Sequence, residues 1–184
     1  MILNLEEILK RDLKKKVIIF QTDTVYGLGT PIDNLDGVRK IYEIKKREAK
    51  KPLAVLCANI EQVKSIVLNF DDALTLTKQY WPGALTLVYI KNGTISDEIT
   101  SGFNTVGVRI PDDPIALQLL ELTGPMAVTS LNISAEPAVL NFADALAFID
   151  EVDYIIKGND LSGISSTVYD VKNCSVLRQG NIII

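Results

Sequence analysis

The chain has 184 residues, 47% hydrophobic and 23% charged, a balance that supports one globular unit with its own core and excludes the disordered and fibrous classes. It has no histidine, which removes Ser-His and Cys-His nucleophile pairs, the HExxH zinc site and imidazole base catalysis together. The net charge of −4 argues against indiscriminate binding to nucleic acid, and no apolar run is long enough for a membrane span or signal-peptide core, so a cytoplasmic protein is expected.

Asn4, followed by Glu7, opens an amphipathic run through Leu5, Ile8, Leu9 and Leu13, which predicts a capped helix ending in Lys14, Lys15 and Lys16. Val17 to Phe20 reads as a buried strand that delivers the polar segment Gln21 to Gly29. A helix over about Leu35 to Lys46 and a strand over Leu53 to Cys57 follow, giving a β-α-β alternation. Helical patterns over Ile60 to Leu68 and Asp72 to Tyr80 precede the turn Trp81-Pro82-Gly83 and a strand over Leu85 to Ile90. Further strands are predicted at Val106 to Ile110, Met126 to Thr129, Asp153 to Ile156, Thr167 to Val171 and Ser175 to Leu177, with helices at about Pro114 to Leu122 and Phe142 to Ile149. Lys91 to Asn104 and Lys157 to Ser166 read as loops. The expectation is an α/β fold, a single domain over 1–184 with a twisted mixed sheet, parallel and antiparallel, and flanking helices. Cys57 and Cys174 lack a CxxC partner and lie in apolar runs, so both are expected reduced and packed.

Neither standard nucleotide loop is present: there is no GxxxxGK[ST], and Ile32 occupies the third glycine position after Gly27-Leu28-Gly29. Lys45, Arg47, Lys50 and Lys51 instead crowd a helix end, either as a phosphate grip or as a solvated charged face. Thr22, Asp23, Thr24 and Tyr26 cluster hydroxyls and a carboxylate at a strand end, suited to holding a small zwitterion, to orienting a metal-bound phosphate, or to capping their own loop. Ser130 and Asn132 follow another strand. Arg109, between Val108 and Ile110 in an apolar strand, requires an anion, either Asp112 or a ligand carboxylate. Gly163 to Asp170 and Arg178-Gln179-Gly180 add hydroxyls and a cation near the C-terminus.

In order and spacing, QTDTVYGLG (Gln21 to Gly29), IYEIKKR (Ile41 to Arg47), KPLAVL (Lys51 to Leu56), WPGALTLV (Trp81 to Val88), VGVRIP (Val106 to Pro111), SLNIS (Ser130 to Ser134), SSTVYD (Ser165 to Asp170) and LRQG (Leu177 to Gly180) resemble the YrdC-like threonylcarbamoyl-AMP synthase family. The resemblance covers the chain from about residue 17 and looks like the family's short bacterial form. It implies ATP-dependent formation of threonylcarbamoyl-AMP from L-threonine and bicarbonate, with magnesium accompanying ATP and no dedicated metal ligands. It further implies that Lys45 and Arg47 carry catalysis and grip the ATP phosphates, with Lys51, Thr105, Ser130, Asn132, Ala138 and Arg178 also lining the nucleotide site. Thr24, Leu56, Arg109, Ser166 and the backbone around Val128 would hold L-threonine, Arg109 meeting its carboxylate. Gln21 and Glu48 replace family prolines, Leu131 turns SAN into SLN, Ala135 stands where glycine is common, and Leu56 replaces a histidine found in many members and would pack on the substrate's methyl group. The implied partners are downstream tRNA threonylcarbamoyl-transfer enzymes and no membrane. Two other readings share the fold: a non-catalytic module binding double-stranded or ribosomal RNA, and the carbamoyl-adenylate-forming domain of hydrogenase maturation proteins, whose zinc-finger and acylphosphatase-like segments are absent here.

Overall fold

In a computed structural model, which describes residues 1–46, 48, 50–161 and 163–184, one ten-stranded sheet organises the chain. The strands are β1 (Ile2–Leu3), β2 (Ile18–Phe20), β3 (Gly27–Pro31), β4 (Ala54–Leu56), β5 (Leu85–Ile90), β6 (Thr105–Arg109), β7 (Met126–Ser130), β8 (Tyr154–Ile156), β9 (Thr167–Asp170) and β10 (Ser175–Arg178). The helices are α1 (Leu5–Ile8), α2 (Leu35–Ile44), α3 (Ile60–Lys64), α4 (Leu74–Tyr80), α5 (Asp97–Thr100), α6 (Pro114–Thr123) and α7 (Phe142–Ala145). Across the sheet the order is β1-β8-β2-β3-β7-β4-β6-β5-β9-β10. Among the described residues four pairs are parallel (β1 with β8, β2 with β8, β4 with β6, β5 with β9) and the other five antiparallel, which is the mixed sheet expected. No helix among the described residues is long and apolar enough to cross a membrane.

The residues that start each helix are those whose side chains can accept from its orphan amides. Asn4 and Glu7 form the anticipated capping box, Asn34 caps α2, and Asp113 caps α6 ahead of Pro114. Several expected bounds fail for local reasons. The first helix stops at Ile8, because Asp12 accepts from the Lys14 amide and folds the basic run into a turn, with Lys15 at φ 57°. β3 begins within the polar segment Gln21 to Gly29 and runs past it, a strand not expected from the sequence: Gly27, Gly29 and Pro31 hide its strand character, yet it pairs with both β2 and β7. α5 lies within the expected loop Lys91 to Asn104, started by the Ser96 cap.

Because successive strand residues face opposite sides, the sheet separates two apolar layers. Ile19, Leu28, Val55, Leu87, Val108, Ala127 and Ile155 join Val38 and Ile41 of α2, Val63 of α3 and Ile99 of α5 in one layer. Ile18, Phe20, Leu56, Met126, Val128 and Ile156 join Ile8 of α1 and Ala116, Leu119 and Leu120 of α6 in the other. That second layer covers only part of its face. Over β3, β7, β4, β6, β5 and β9 the same face carries Gly27, Ser130, Ala54, Gly107, Arg109, Thr86 and Val168, which line an open cavity.

Candidate active site

The cavity holds about 490 Å³, a volume typical of small-molecule sites. Its floor is low because glycine replaces a side chain where two strands crowd. At Gly107 an added Cβ would come within 3.2 Å of the Thr86 Cγ2, so the floor admits a ligand where any larger residue would press on its neighbour.

Arg109 ends β6 and projects into this space, 5% exposed. Its Nε donates to Gly83 O at 2.9 Å, its Nη1 to Thr24 Oγ1 at 3.0 Å, and its Nη2 to Asp23 Oδ1. The expectation of Asp112 as its internal anion is therefore corrected: Asp112 is exposed, and Asp23, from the loop after β2, is the partner. Burial pulls the guanidinium's affinity for its proton down, the Asp23 carboxylate raises it, and the nearby Arg178 lowers it further. Thr24 is itself fixed by Thr22, whose Oγ1 lies 3.0 Å from Thr24 Oγ1 and donates to Val25 O at 2.8 Å.

Opposite Arg109, the segment before β9 and the strand β10 meet at Ser166. Its hydroxyl lies 2.8 Å from Thr86 Oγ1, and Arg178 Nη2 donates to both Ser166 O at 2.8 Å and Ser166 Oγ at 3.1 Å. Arg178 has no carboxylate partner among the described residues, so the mouth of the cavity presents a cation with donor capacity.

The third wall is the Ser130 turn, held from below by Lys45. This lysine caps α2, is 1% exposed, and its ammonium reaches Ser130 O at 2.6 Å, Asn132 O at 2.9 Å and Asn132 Oδ1 at 2.5 Å. Three acceptors match the three donors of an ammonium. Ser130 Oγ also donates to Asn132 Oδ1 at 2.8 Å, and Asn132 Nδ2 to Glu136 O at 2.6 Å, which closes the turn.

Of the residues singled out from the sequence, Thr24, Leu56, Thr105, Arg109, Val128, Ser130, Ser166 and Arg178 line the one cavity. Leu56 and Val128 form its apolar side, both buried. Lys45 and Asn132 reach it through Ser130, while Ala138 lies half-buried in the segment whose Val139 O accepts from Tyr26 N at 3.1 Å. Lys51 is exposed, with its carbonyl accepting from Tyr42 at 3.0 Å, and is followed by the lining residues Pro52 and Leu53. Arg47 lies outside the described residues. Asp23 enters the sequence reading only as one member of a polar cluster, and neither its pairing with Arg109 nor any role for Thr86 is legible there. Their signals were the carboxylate inside Thr22-Asp23-Thr24 and the alternation that places Thr86 on the face of Gly107. Cys57 is buried, as expected, and burial drives its thiol pKa far up; Cys174 is exposed instead, in the turn that leads into β10, a strand exposed along its length.

The family model for Sua5/YciO/YrdC proteins, described as "Telomere recombination", matches residues 12–180. The chain is 39% identical over 160 residues to the threonylcarbamoyl-AMP synthase of Bacillus subtilis, covering 84% of this chain and 46% of that protein. It is 39% identical over 173 residues to the synthase of the same name from Pyrococcus abyssi, covering 91% and 51%. The chain thus spans about half the length of these two relatives. The structure of P. abyssi Sua5 complexed with L-threonine superposes with a TM-score of 0.92 at 34% identity, covering 98% of this chain and 57% of that one. Escherichia coli YciO superposes with a TM-score of 0.81 at 26% identity, covering 90% and 83%. A family match over nearly the whole chain, together with the close superposition on the solved P. abyssi relative, leads to one conclusion: the chain belongs to the Sua5/YciO/YrdC family.

Proposed function

We propose that this chain joins L-threonine, bicarbonate and ATP into threonylcarbamoyl-AMP with release of pyrophosphate, a cytosolic first step of threonylcarbamoyladenosine modification of tRNA whose product passes to downstream transfer enzymes. The observation that carries the reading is the pairing of Arg109 and Arg178 on one cavity, each bonded to a residue that also lines it. The names of the relatives and the threonine bound by the P. abyssi protein support it.

In this reading Arg109 takes the amino-acid carboxylate, while Leu56 and Val128 offer an apolar surface to the side-chain methyl. The amine condenses with bicarbonate to a carbamate and water. A carbamate oxygen then attacks the α-phosphorus of ATP, forming a P–O bond as the bond to pyrophosphate breaks. Neither step needs histidine, since phosphoryl chemistry depends mainly on alignment and on charge placed where the phosphates carry it. Arg178 at the mouth and Lys45 beneath Ser130, together with Arg47, supply that charge. Magnesium arrives as part of the ATP substrate, and the phosphates hold it, as is usual for an ion that keeps most of its water; no cluster of three or more acidic, cysteine or histidine ligands exists among the described residues.

The test is mass detection of threonylcarbamoyl-AMP from purified chain, ATP, bicarbonate and L-threonine, with pyrophosphate followed in parallel. Release should depend on both threonine and bicarbonate. Release that proceeds equally without threonine would sink the proposal.

A further inference from the structure

Asp23 is a carboxylate that the sheet brings to Arg109 although 86 positions separate them in sequence. The pair is nearly enclosed, with side-chain exposures of 7% for Arg109 and 15% for Asp23, so the charges meet in a medium that screens them weakly. A guanidinium has five N–H donors, and Gly83 O, Thr24 Oγ1 and Asp23 Oδ1 engage three of them. Donors therefore remain for a ligand on an arginine whose charge is already balanced. The next carboxylate, Asp113, is turned away: its Oδ1 accepts from the Ala116 amide at 2.9 Å and its Oδ2 from Gln21. The other nearby charge is Arg178, which holds Ser166 across the cavity.

We propose that Asp23 sets the charge class of the amino-acid subsite: by neutralising Arg109 it makes the subsite select a zwitterion and reject an anionic carboxylate of the same shape. The inference rests on the threonine reading above and adds a specificity-determining residue to it. A bare carboxylate brought to Arg109 adds one net negative charge to a neutral pair and meets repulsion from Asp23. The α-ammonium of an amino acid cancels that charge and is attracted to the same carboxylate through space. Asp23 does not itself line the cavity, so it acts through Arg109 and the local field, not as a direct ligand.

The experiment compares binding of L-threonine with that of (R)-3-hydroxybutyrate, the same skeleton without the amine, by calorimetry on the whole chain and on Asp23→Asn, with Asp23→Ser in parallel in case one variant does not fold. The wild type should prefer threonine strongly. Loss of the Asp23 charge should shift the preference toward the hydroxy acid by at least about tenfold, as expected for one unit charge in a poorly screened site. Asp23→Glu, which keeps the charge, should restore the wild-type preference even where both ligands bind less tightly. A preference unchanged within about twofold in a folded, threonine-binding uncharged variant overturns the inference alone, since a merely structural residue would weaken both ligands together. A wild type that binds no threonine overturns the functional reading beneath it.

Discussion

At the scale of single residues, the least expected placement is Lys45. A lysine within IYEIKKR reads as a solvated or phosphate-gripping cation, yet its ammonium is buried against three oxygens of the Ser130–Asn132 turn. Its charge therefore reaches the cavity through a turn it also shapes. Lys45→Met keeps the apolar stem and removes the donors, leaving buried carbonyls without their partner at a cost of about 2 kcal/mol. ATP affinity should fall at least on the order of tenfold, since both charge and turn geometry are lost. Chemical denaturation and ATP calorimetry separate the two effects, and a stability loss with ATP affinity intact would confine Lys45 to holding the turn. The same burial marks what was legible. An arginine inside an apolar strand announces a need for an anion, so Arg109 stood out from sequence alone. Which internal anion it meets depends on a loop 86 positions away: Asp112 is three residues along in sequence but exposed, and Asp23 is the carboxylate that reaches it, while the ligand-carboxylate alternative is untouched by that pairing.

At the scale of elements, alternation served wherever strands carry branched and aromatic residues: β5 runs from Leu85 to Ile90 as the pattern requires, and β6 is displaced by one residue. It failed at β3, where glycines needed for close packing against Val128 erase the pattern. The C-terminal strap shows the same economy of space. Thr167 Oγ1 donates to Ile182 O at 2.5 Å and accepts from Gly180 N at 3.0 Å and Ile182 N at 3.1 Å, tying the last residues to the start of β9. A Cβ on Gly180 would overlap the backbone of Ser165, Ser166 and Thr167, which cannot yield as a flexible side chain would. Gly180→Ala should therefore lift the strap and carry Arg178 away from Ser166, costing roughly 1 to 3 kcal/mol of stability as overpacking does. Binding of both ATP and threonine should weaken, because Ser166 and Arg178 move together. A stability loss with unchanged ligand affinities would show that the strap does not position the cavity.

For the whole molecule, the sheet explains why residues so dispersed in sequence act together. The cavity is the part of one face that α1 and α6 leave uncovered, and strands from β3 to β10 contribute to it, so a ligand there bridges segments from Thr22 to Arg178. Ligands that bind only the folded chain raise its stability by mass action, about 2.7 kcal/mol at a hundredfold excess over Kd. Two ligands in separate, rigid sites would add their shifts independently. Here Ser166 is shared: its hydroxyl contacts Thr86 in the floor and Arg178 at the mouth, so an amino acid that engages Ser166 alters the hold on the arginine proposed for phosphate. Coupling between sites is reciprocal and is measured as the departure from additivity. The melting temperature of the chain with threonine and a non-hydrolysable ATP analogue together should exceed the sum of the separate shifts. Thr86→Val, which removes the floor contact to Ser166 while keeping its bulk, should reduce that excess, and strictly additive shifts in the wild type would separate the two subsites energetically despite their common cavity.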